Sequence, residues 1–467
     1  MNQHVDGDSP SAEYLTDVAY PAHFHRETMP SWIGGALAAL GRRAPDLAAP
    51  FTWLELGCGA GLGALVAAAC HPQGRFIGID LSEREVERAA GMARAARLDN
   101  VRFVCQDIRD VAKGPEPAAI PHCDFIVSHG VYSWVAEPVR EAMADLVRTR
   151  LRPGGVAYLG YTSQPGAVSF SAAQKLMRLA APLQPGDSVA KVGAGVALLR
   201  RLAQSGAGYF TAHPAVLEHL EQMDRMDAAY LAHEYLNAHW QAFHVSDIMD
   251  QMAGAGCDFA GSASLLENID AVSLPSGAQA ELAQLQRQGV GIALLETARD
   301  IARNQSLRRD LYQKQNAAPA HHYRLEADQH RAVLLAQRVM RMPGAPAASE
   351  LPDELKIDTG IGPVTVAAQA VRPLLQALSQ APRSYAELAA LPAFAGNSGL
   401  INPLLQILAW IGWLHVVPAA APTEAAARGA ALARLEAVLN EAGLPLQVVG
   451  TAGTALWPAV GGSGGGA

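Results

Sequence analysis

Residues 54–63 read "LELGCGAGLG". An apolar run here gives way to Gly57, Gly59, Gly61 and Gly63 in alternation with Cys58, Ala60 and Leu62. Such a run is a strand that feeds a tight turn, and the missing side chains let a ligand come close to the backbone. The turn opens a helix, because Leu62, Leu65, Val66 and Ala69 fall on one face at spacings of three and four. Strand, glycine turn and helix together are the first half of a βαβ unit.

Outward from this stretch the same alternation continues. "FTWLEL" (51–56) is the first strand and "RFIGID" (75–80) the second. Ser82 with Glu85 three positions on is a capping-box pattern that opens a helix through "EREVERAAGMARAARL". "VRFVCQD" (101–107) is a third strand and "CDFIVSHG" (123–130) a fourth. Pro138 suits the first turn of the helix that follows, and "RPGG" (152–155) turns into a fifth strand, "VAYLGY". Strands alternating with helices predict a parallel, doubly covered sheet and an α/β fold class.

Beyond Pro165 the alternation stops, and segments such as "VALLRRLAQ", "AVLEHLEQMDRM" and "AELAQLQRQ" predict a helical domain. "RMPGAPAASELPDE" (341–354) reads as a linker or an ordered surface connection. After it come a short strand "PVTVA", helices around "AVRPLLQALSQ" and "SYAELAALP", and an apolar helix "INPLLQILAWIGWL" running into "HVVP", an order that resembles a small winged-helix-like module. Its arginines are scattered and only Lys356 supplies a lysine near it, so packing or protein contact is the better reading than DNA binding. The expected domains are a covering segment at 1–50, the α/β core at 51–165, the helical domain at 166–340, the winged-helix-like domain at 355–445 and a flexible tail at 458–467.

The bulk numbers narrow the classes. A chain of 467 residues suggests two or three domains, and 50% hydrophobic with 17% charged residues is globular composition. No apolar run approaches the ~20 residues that a membrane span needs. The N-terminus is polar and acidic, without the pattern of a signal peptide. Five cysteines without C-x-x-C spacing read as free thiols in a reducing compartment, which points to the cytoplasm. A formal charge of -8 with no basic block makes nucleic acid a poor partner. His23 and His25, His321 and His322, and the trio His233, His239 and His244 lack the H-E-x-x-H spacing, so no metal site is expected.

The glycines alone leave the ligand open. From Glu55 they read E-x-G-x-G-x-G; from Gly59 they also fit G-x-G-x-x-A, with Ala64 last and Asp80 at about the distance of a ribose-binding acid. NAD and S-adenosylmethionine both remain. The acids discriminate: Glu55 precedes the glycines, Asp80 ends the second strand, and Gln106-Asp107 end the third. Three acids ending three strands suit a cationic sulfonium ligand with a free amino group and repel a pyrophosphate.

With these residues the chain resembles the class I S-adenosylmethionine-dependent methyltransferases over about 50–165. It is similar, more closely, to a bacterial subgroup that carries a methyltransferase regulatory domain, to which rickettsial outer-membrane-protein lysine methyltransferases are related. The matching stretches are "DVAYP" (17–21), "SHGVYSWV" (128–135), "RPGGVAYLGY" (152–161), "HEYLNAHW" (233–240) and "GSASLLEN" (261–268). The resemblance implies a Rossmann-like core with a mostly parallel seven-stranded sheet, a helical regulatory domain and the small C-terminal domain. It implies S-adenosyl-L-methionine as cofactor, held on its methionine and ribose side by the backbone of Gly57, Cys58, Gly59 and Gly61. Glu55 would shape the methionine end, Asp80 would take the ribose hydroxyls, and Gln106 and Asp107 would read adenine. Leu81, Ile108 and Ser128 flank these as further cofactor-binding positions. Tyr20, with Tyr14, would cover the cofactor, and "SHGVYSWV" would line the methyl-transfer pocket with His129, Tyr132 and Trp134. The chain departs from the subgroup at Thr28-Met29-Pro30, where T-H-P is common, at Gly63, where asparagine is common, and at Tyr161 to Ala167, where Y-N-x-x-P-G-W is common.

The expected reaction is in-line displacement of a methyl group, accelerated by positioning donor carbon and acceptor atom in a closed site. Family analogy makes the acceptor a protein lysine, which must lose a proton before attack. Tyr132 and Trp134 would favour the neutral amine and hold a methylated ammonium, and His129 would accept the proton. The rival readings are methylation of a small metabolite or peptide product, a non-catalytic S-adenosylmethionine sensor, and an NAD-dependent oxidoreductase.

Overall fold

Successive residues of a strand point to opposite faces of its sheet, and in the central strands of this protein both faces are apolar. Trp53, Phe76, Phe125 and Tyr158 enter one core, while their neighbours Leu54, Ile77, Ile126 and Ala157 enter another on the other side. The computed structural model describes Leu15 and residues 17–113, 120–316, 323–359, 361–418 and 425–458. Tyr14, the pair His321-His322 and the tail from 459 onward lie outside the described residues.

The chain enters through α1 (Pro30–Ala39) and then alternates β1 (Phe51–Leu56), α2 (Leu62–Cys70), β2 (Gly74–Asp80), α3 (Glu83–Ala95), β3 (Val101–Cys105), α4 (Ile108–Lys113), β4 (Cys123–His129), α5 (Glu137–Arg150) and β5 (Leu151–Thr162). These five strands pair in parallel. Ser82 caps α3 as its sequence predicts, accepting the Glu85 N–H. The "RPGG" turn is absorbed into β5, where the register against β4 shifts between Cys123 and Phe125.

The stretch expected to be a helical domain supplies the rest of the sheet. Helices α6 (Val168–Ala180), α7 (Ser188–Gln204), α8 (Gly208–Ala212), α9 (Pro214–Gln222) and α10 (Ala228–Leu236) pack around their own core of Phe170, Met177, Leu199, Phe210 and Tyr235. The chain then returns through α11 (Val245–Gly254), β6 (Cys257–Ser262), α12 (Asp270–Ser273), α13 (Ser276–Arg287), α14 (Ile292–Arg303) and β7 (Leu307–Lys314). The sheet order is β3-β2-β1-β4-β5-β7-β6, with β7 antiparallel to both neighbours. This is a mostly parallel seven-stranded sheet. Its last two strands escaped the periodicity because they are polar in places: "CDFAGS" and "LRRDLYQK".

The polar residues of β7 are buried and paired. Arg308 lies between Glu296 and Asp300 of α14 and its own neighbour Asp310, with all four side chains at most one-tenth exposed. The Tyr161 hydroxyl donates to Asp310 at 2.6 Å. A buried cluster of this kind is stable only as a complete set, because removing one partner leaves uncompensated charge.

The C-terminal part begins with α15 (Ala327–Ala336) and β8 (Arg338–Arg341), followed by the hairpin β9 (Glu354–Thr359) and β10 (Gly362–Ala367). Then come α16 (Ala368–Ala377), β11 (Arg383–Ser384), α17 (Tyr385–Ala389), α18 (Ile401–Trp410) and β12 (Leu414–Val417). Strands β11, β8 and β12 form one small antiparallel sheet. The 341–354 stretch is an ordered connection that buries Met342, Ala345 and Leu351. Last come α19 (Ala425–Glu441), β13 (Gln447–Val449) and β14 (Thr454–Leu456). Leu435 and Leu439 of α19 join the first core beside α2, so the chain's end covers the sheet it began with.

Candidate active site

A cavity opens at the C-terminal ends of β1, β2, β3 and β4, the edge where ligands bind in open α/β sheets. Gly57 makes the first turn possible: its φ is +76°, and a Cβ there would lie 2.2 Å from Val131 Cγ2. The loop presents few free donors. Gly57 and Cys58 N–H both donate to Ile79 O, Gly59 N–H donates to Asp80 Oδ2, and Gly61 N–H donates to Cys58 O. These four N–H groups are used within the protein, which leaves fewer of them for a pyrophosphate.

What stands beside the loop is a pair of part-buried acids. Asp80 receives Gly59 N–H at 2.7 Å and Ser82 N–H at 2.9 Å, and burial pushes its carboxyl up from the ordinary range. Glu55 is deeper, and burial, reinforced by Asp80, pushes it up to about 8. Its Oε2 has no hydrogen-bond partner among the described residues. A Cβ at Gly63 would come within 3.0 Å of Glu55 Oε1, so the glycine at this position leaves the carboxylate clear on that side. The amino group of a methionine moiety is the donor this atom lacks, and the residues therefore fit S-adenosylmethionine. At the end of β3, burial opposes ionisation of Asp107. Hydrogen bonds from the Arg109 side chain, the shortest 2.7 Å, nevertheless hold that carboxyl below its usual range.

The opposite wall is made of rings. His25 stacks on His129 with ring centroids 3.7 Å apart, and Tyr20 meets Trp134 edge-on at 5.7 Å and His233 at 5.3 Å. Burial depresses His25 to about 4 and His129 well below its ordinary value, and it lowers His233 in the same direction, so these imidazoles are neutral at pH 7. His233 donates from Nε2 to Val18 O at 2.9 Å, and Ser188 of α7 donates to Asp17 at 2.8 and 2.9 Å. The helical insertion thus clasps the N-terminal segment over the pocket.

The structure gathers most of the expected residues. Glu55, Gly57, Cys58, Gly59, Asp80, Leu81, Gln106, Asp107, Ile108, His129, Trp134 and Tyr20 all line the cavity. Three do not. Gly61 serves packing, since a Cβ there would meet the Phe103 ring at 2.5 Å. Ser128 is buried and donates to Leu56 O at 3.0 Å, tying β4 to β1. Tyr132 points into the second core: its hydroxyl donates to Gln251 of α11 and its ring lies edge-on to Phe243 at 5.2 Å. The reason is the short turn after β4, which leaves Gly130, Val131 and Trp134 along the cavity and turns Tyr132 toward α11. Sequence reasoning missed His25, Arg109 and Glu85 as lining residues. Arg109 had a signal in its spacing two residues after Asp107, whereas His25 had none. Among the described residues no group of three His, Cys, Asp or Glu converges to hold an ion.

A family model described as "Methyltransferase domain" matches residues 54–155, and one described as "Predicted methyltransferase regulatory domain" matches 227–314. The chain is a class I S-adenosylmethionine-dependent methyltransferase with a regulatory domain. The enzyme is 28% identical over 407 residues to an uncharacterized protein of Synechocystis, covering 86% of this chain and 76% of that one. A Rickettsia prowazekii protein is 30% identical over 150 residues, 32% of this chain and 58% of its own length. Among solved structures, PKMT2 from Rickettsia typhi in complex with AdoHcy shares the fold. Its TM-score is 0.64 at 20% identity, over 85% of this chain and 77% of that one. The regulatory match spans α10 to β7, so it contains both strands that complete the sheet. No described helix is long and apolar enough to cross a membrane.

Proposed function

We propose that the enzyme N-methylates lysine side chains of a protein. The observation that carries this reading is the uncharged ring wall facing the acid-lined cofactor end. The resemblance to rickettsial protein-lysine methyltransferases and the likeness to PKMT2 support it.

S-adenosylmethionine, when bound, supplies an electrophilic methyl group on a sulfonium. Glu55 is suited to its ammonium, Asp80 to its ribose and Asp107 to its adenine amino group. Tyr20, His25, His129 and Trp134 form the acceptor side. A lysine has a free pKa of ~10.4, and a dry wall of neutral rings favours its amine over its ammonium. The aromatic faces of Tyr20 and Trp134 would hold the methylated ammonium that results. In-line attack then needs positioning rather than a covalent intermediate. Asp17, Val18 and His233 hold the covering segment that closes the pocket.

The test is to incubate the purified enzyme with methyl-tritiated S-adenosylmethionine and a lysate of its host, then count protein and small molecules separately. Label in methyllysine of a discrete protein band is expected. Label confined to the soluble fraction would replace the proposal with a metabolite or short-peptide acceptor. The Asp80→Ala variant serves as control and should bind cofactor at least tenfold more weakly.

A further inference from the structure

His129 is held on three sides. It pairs across the sheet with Gly160 of β5, and Gly160 pairs in turn with Arg309 of β7. A Cβ at Gly160 would lie 2.5 Å from His129 Nδ1, so the imidazole occupies the space a side chain there would need. His25 covers one face of the ring at 3.7 Å. Two residues back along β5, the Tyr158 hydroxyl lies 2.7 Å from His129 Nδ1, with the two rings nearly parallel at 24°. Nδ1 is therefore occupied, and Nε2 is the nitrogen left for the cavity that His129 lines.

The direction of that hydrogen bond decides what Nε2 can do. Tyr158 is fully buried, and among the described residues its hydroxyl has no second partner. If it accepted a proton from Nδ1–H, its own hydrogen would be buried without an acceptor, at a penalty of about 1–3 kcal/mol. If it donates, every group is satisfied and the ring carries its hydrogen on Nε2. We propose that Tyr158 is a positioning residue that donates to His129 Nδ1 and fixes the Nε2–H tautomer. His129 then faces the acceptor as a hydrogen-bond donor rather than as the base that deprotonates it.

The charged surroundings agree. A base would become an imidazolium, and the groups facing it are His23 and His25 of the covering segment, the phenol of Tyr158 and the Arg309 guanidinium. Glu27, the carboxylate of the same segment, sits 3.6 Å from Arg26. Under this proposal the acceptor ammonium releases its proton to water before it docks. The lone pair of the neutral amine forms the N–C bond as the S–CH3 bond breaks, the bonding pair stays on sulfur, and the methylated ammonium later gives a proton to water.

The inference rests on the methyltransferase reading for its chemistry, but its first test needs no turnover. Long-range 1H–15N correlation on the protein labelled at histidine nitrogen identifies which ring nitrogen carries hydrogen, with His129 assigned by loss of its signals in His129→Gln. The expected result at pH 7 is hydrogen on Nε2, turning into a mixture of tautomers in Tyr158→Phe. Hydrogen on Nδ1, or an imidazolium, would overturn the proposal while leaving the methyltransferase reading intact. The second test is kinetic, with the acceptor from the tritium experiment. His129→Gln keeps an N–H donor and loses the base, so kcat/KM should fall no more than about fivefold, the worth of one hydrogen bond. It should still climb with pH toward the pKa of the acceptor amine. A fall beyond tenfold, toward the 10²–10⁴ of a lost general base, or a change in the pH limb would refute the donor role.

Discussion

Glu55 makes a proton-linkage prediction that can be worked through in numbers. Its carboxyl is pushed up to about 8 by burial and by the charge of Asp80, and its Oε2 lacks a partner. At pH 7 it is therefore ionised in roughly one molecule in ten. A peptide's α-amino group titrates at ~7.7–8.0 and that of a free amino acid, beside its own carboxylate, higher still, so the free ligand is the ammonium at that pH. In the complex the carboxylate and ammonium share one proton, whereas apart at pH 7 they hold close to two. Binding should thus release close to one proton at pH 7, and the release should fade as pH rises through the Glu55 value of about 8. The same arithmetic weakens apparent binding about tenfold at pH 7, or ~1.4 kcal/mol, relative to the ionised carboxylate. The assay is calorimetry with S-adenosylhomocysteine in buffers of different ionisation enthalpy. Methylthioadenosine, which lacks the amino-acid end, is the control and should show no linkage. Release that stays the same with methylthioadenosine, or that is absent with S-adenosylhomocysteine, would refute the pairing of Glu55 with the ammonium.

Other perturbations probe neighbouring steps. Gly63→Asn sets an amide beside Glu55 Oε1, where a Cβ already comes within 3.0 Å; the added donor should lower the Glu55 pKa and shrink the proton release at pH 7, and an unchanged release would contradict it. Tyr132→Phe removes a buried hydroxyl bonded to Gln251, away from the cavity, so it should lower stability by about 1 kcal/mol in denaturant titration and leave kcat within twofold; a large loss of kcat with normal stability would return Tyr132 to the site. Arg308→Ala strands Glu296, Asp300 and Asp310 in the interior, and a loss of about 3–5 kcal/mol is expected, against less than 1 if the cluster were dispensable.

The cofactor half of the site was legible because it is local. Glu55, the glycines and Asp80 lie within 26 residues of sequence, and strand, turn and cap each leave a pattern of their own. The loop's chemistry was less legible, since only coordinates reveal that its N–H groups are used within the protein and that Asp80 takes one of them. The last two strands were hidden for another reason. Periodicity reports solvent on one side and core on the other, and β7 buries arginine and aspartate by pairing them, which reads as a polar surface segment.

On the ring wall Tyr20, His129 and Trp134 were expected from the sequence, but His25 and the contacts that hold these rings were not, because those contacts join residues distant in sequence. His25 meets His129 across more than a hundred residues. It is positioned by its neighbour Arg26, whose guanidinium stacks over Trp32 at 4.5 Å and donates to the carbonyls of Ala409 and Trp410, 383 and 384 residues away. Those carbonyls belong to the last turn of α18, where a helix leaves acceptors without intrahelical partners and favours a cation. Tyr20, five residues before His25, is held in turn by the ring contacts to Trp134 and His233. The ring wall of the cavity therefore depends on the C-terminal unit and the helical insertion together. Changes far from the glycine loop should alter which acceptor is used while leaving cofactor affinity near its original value.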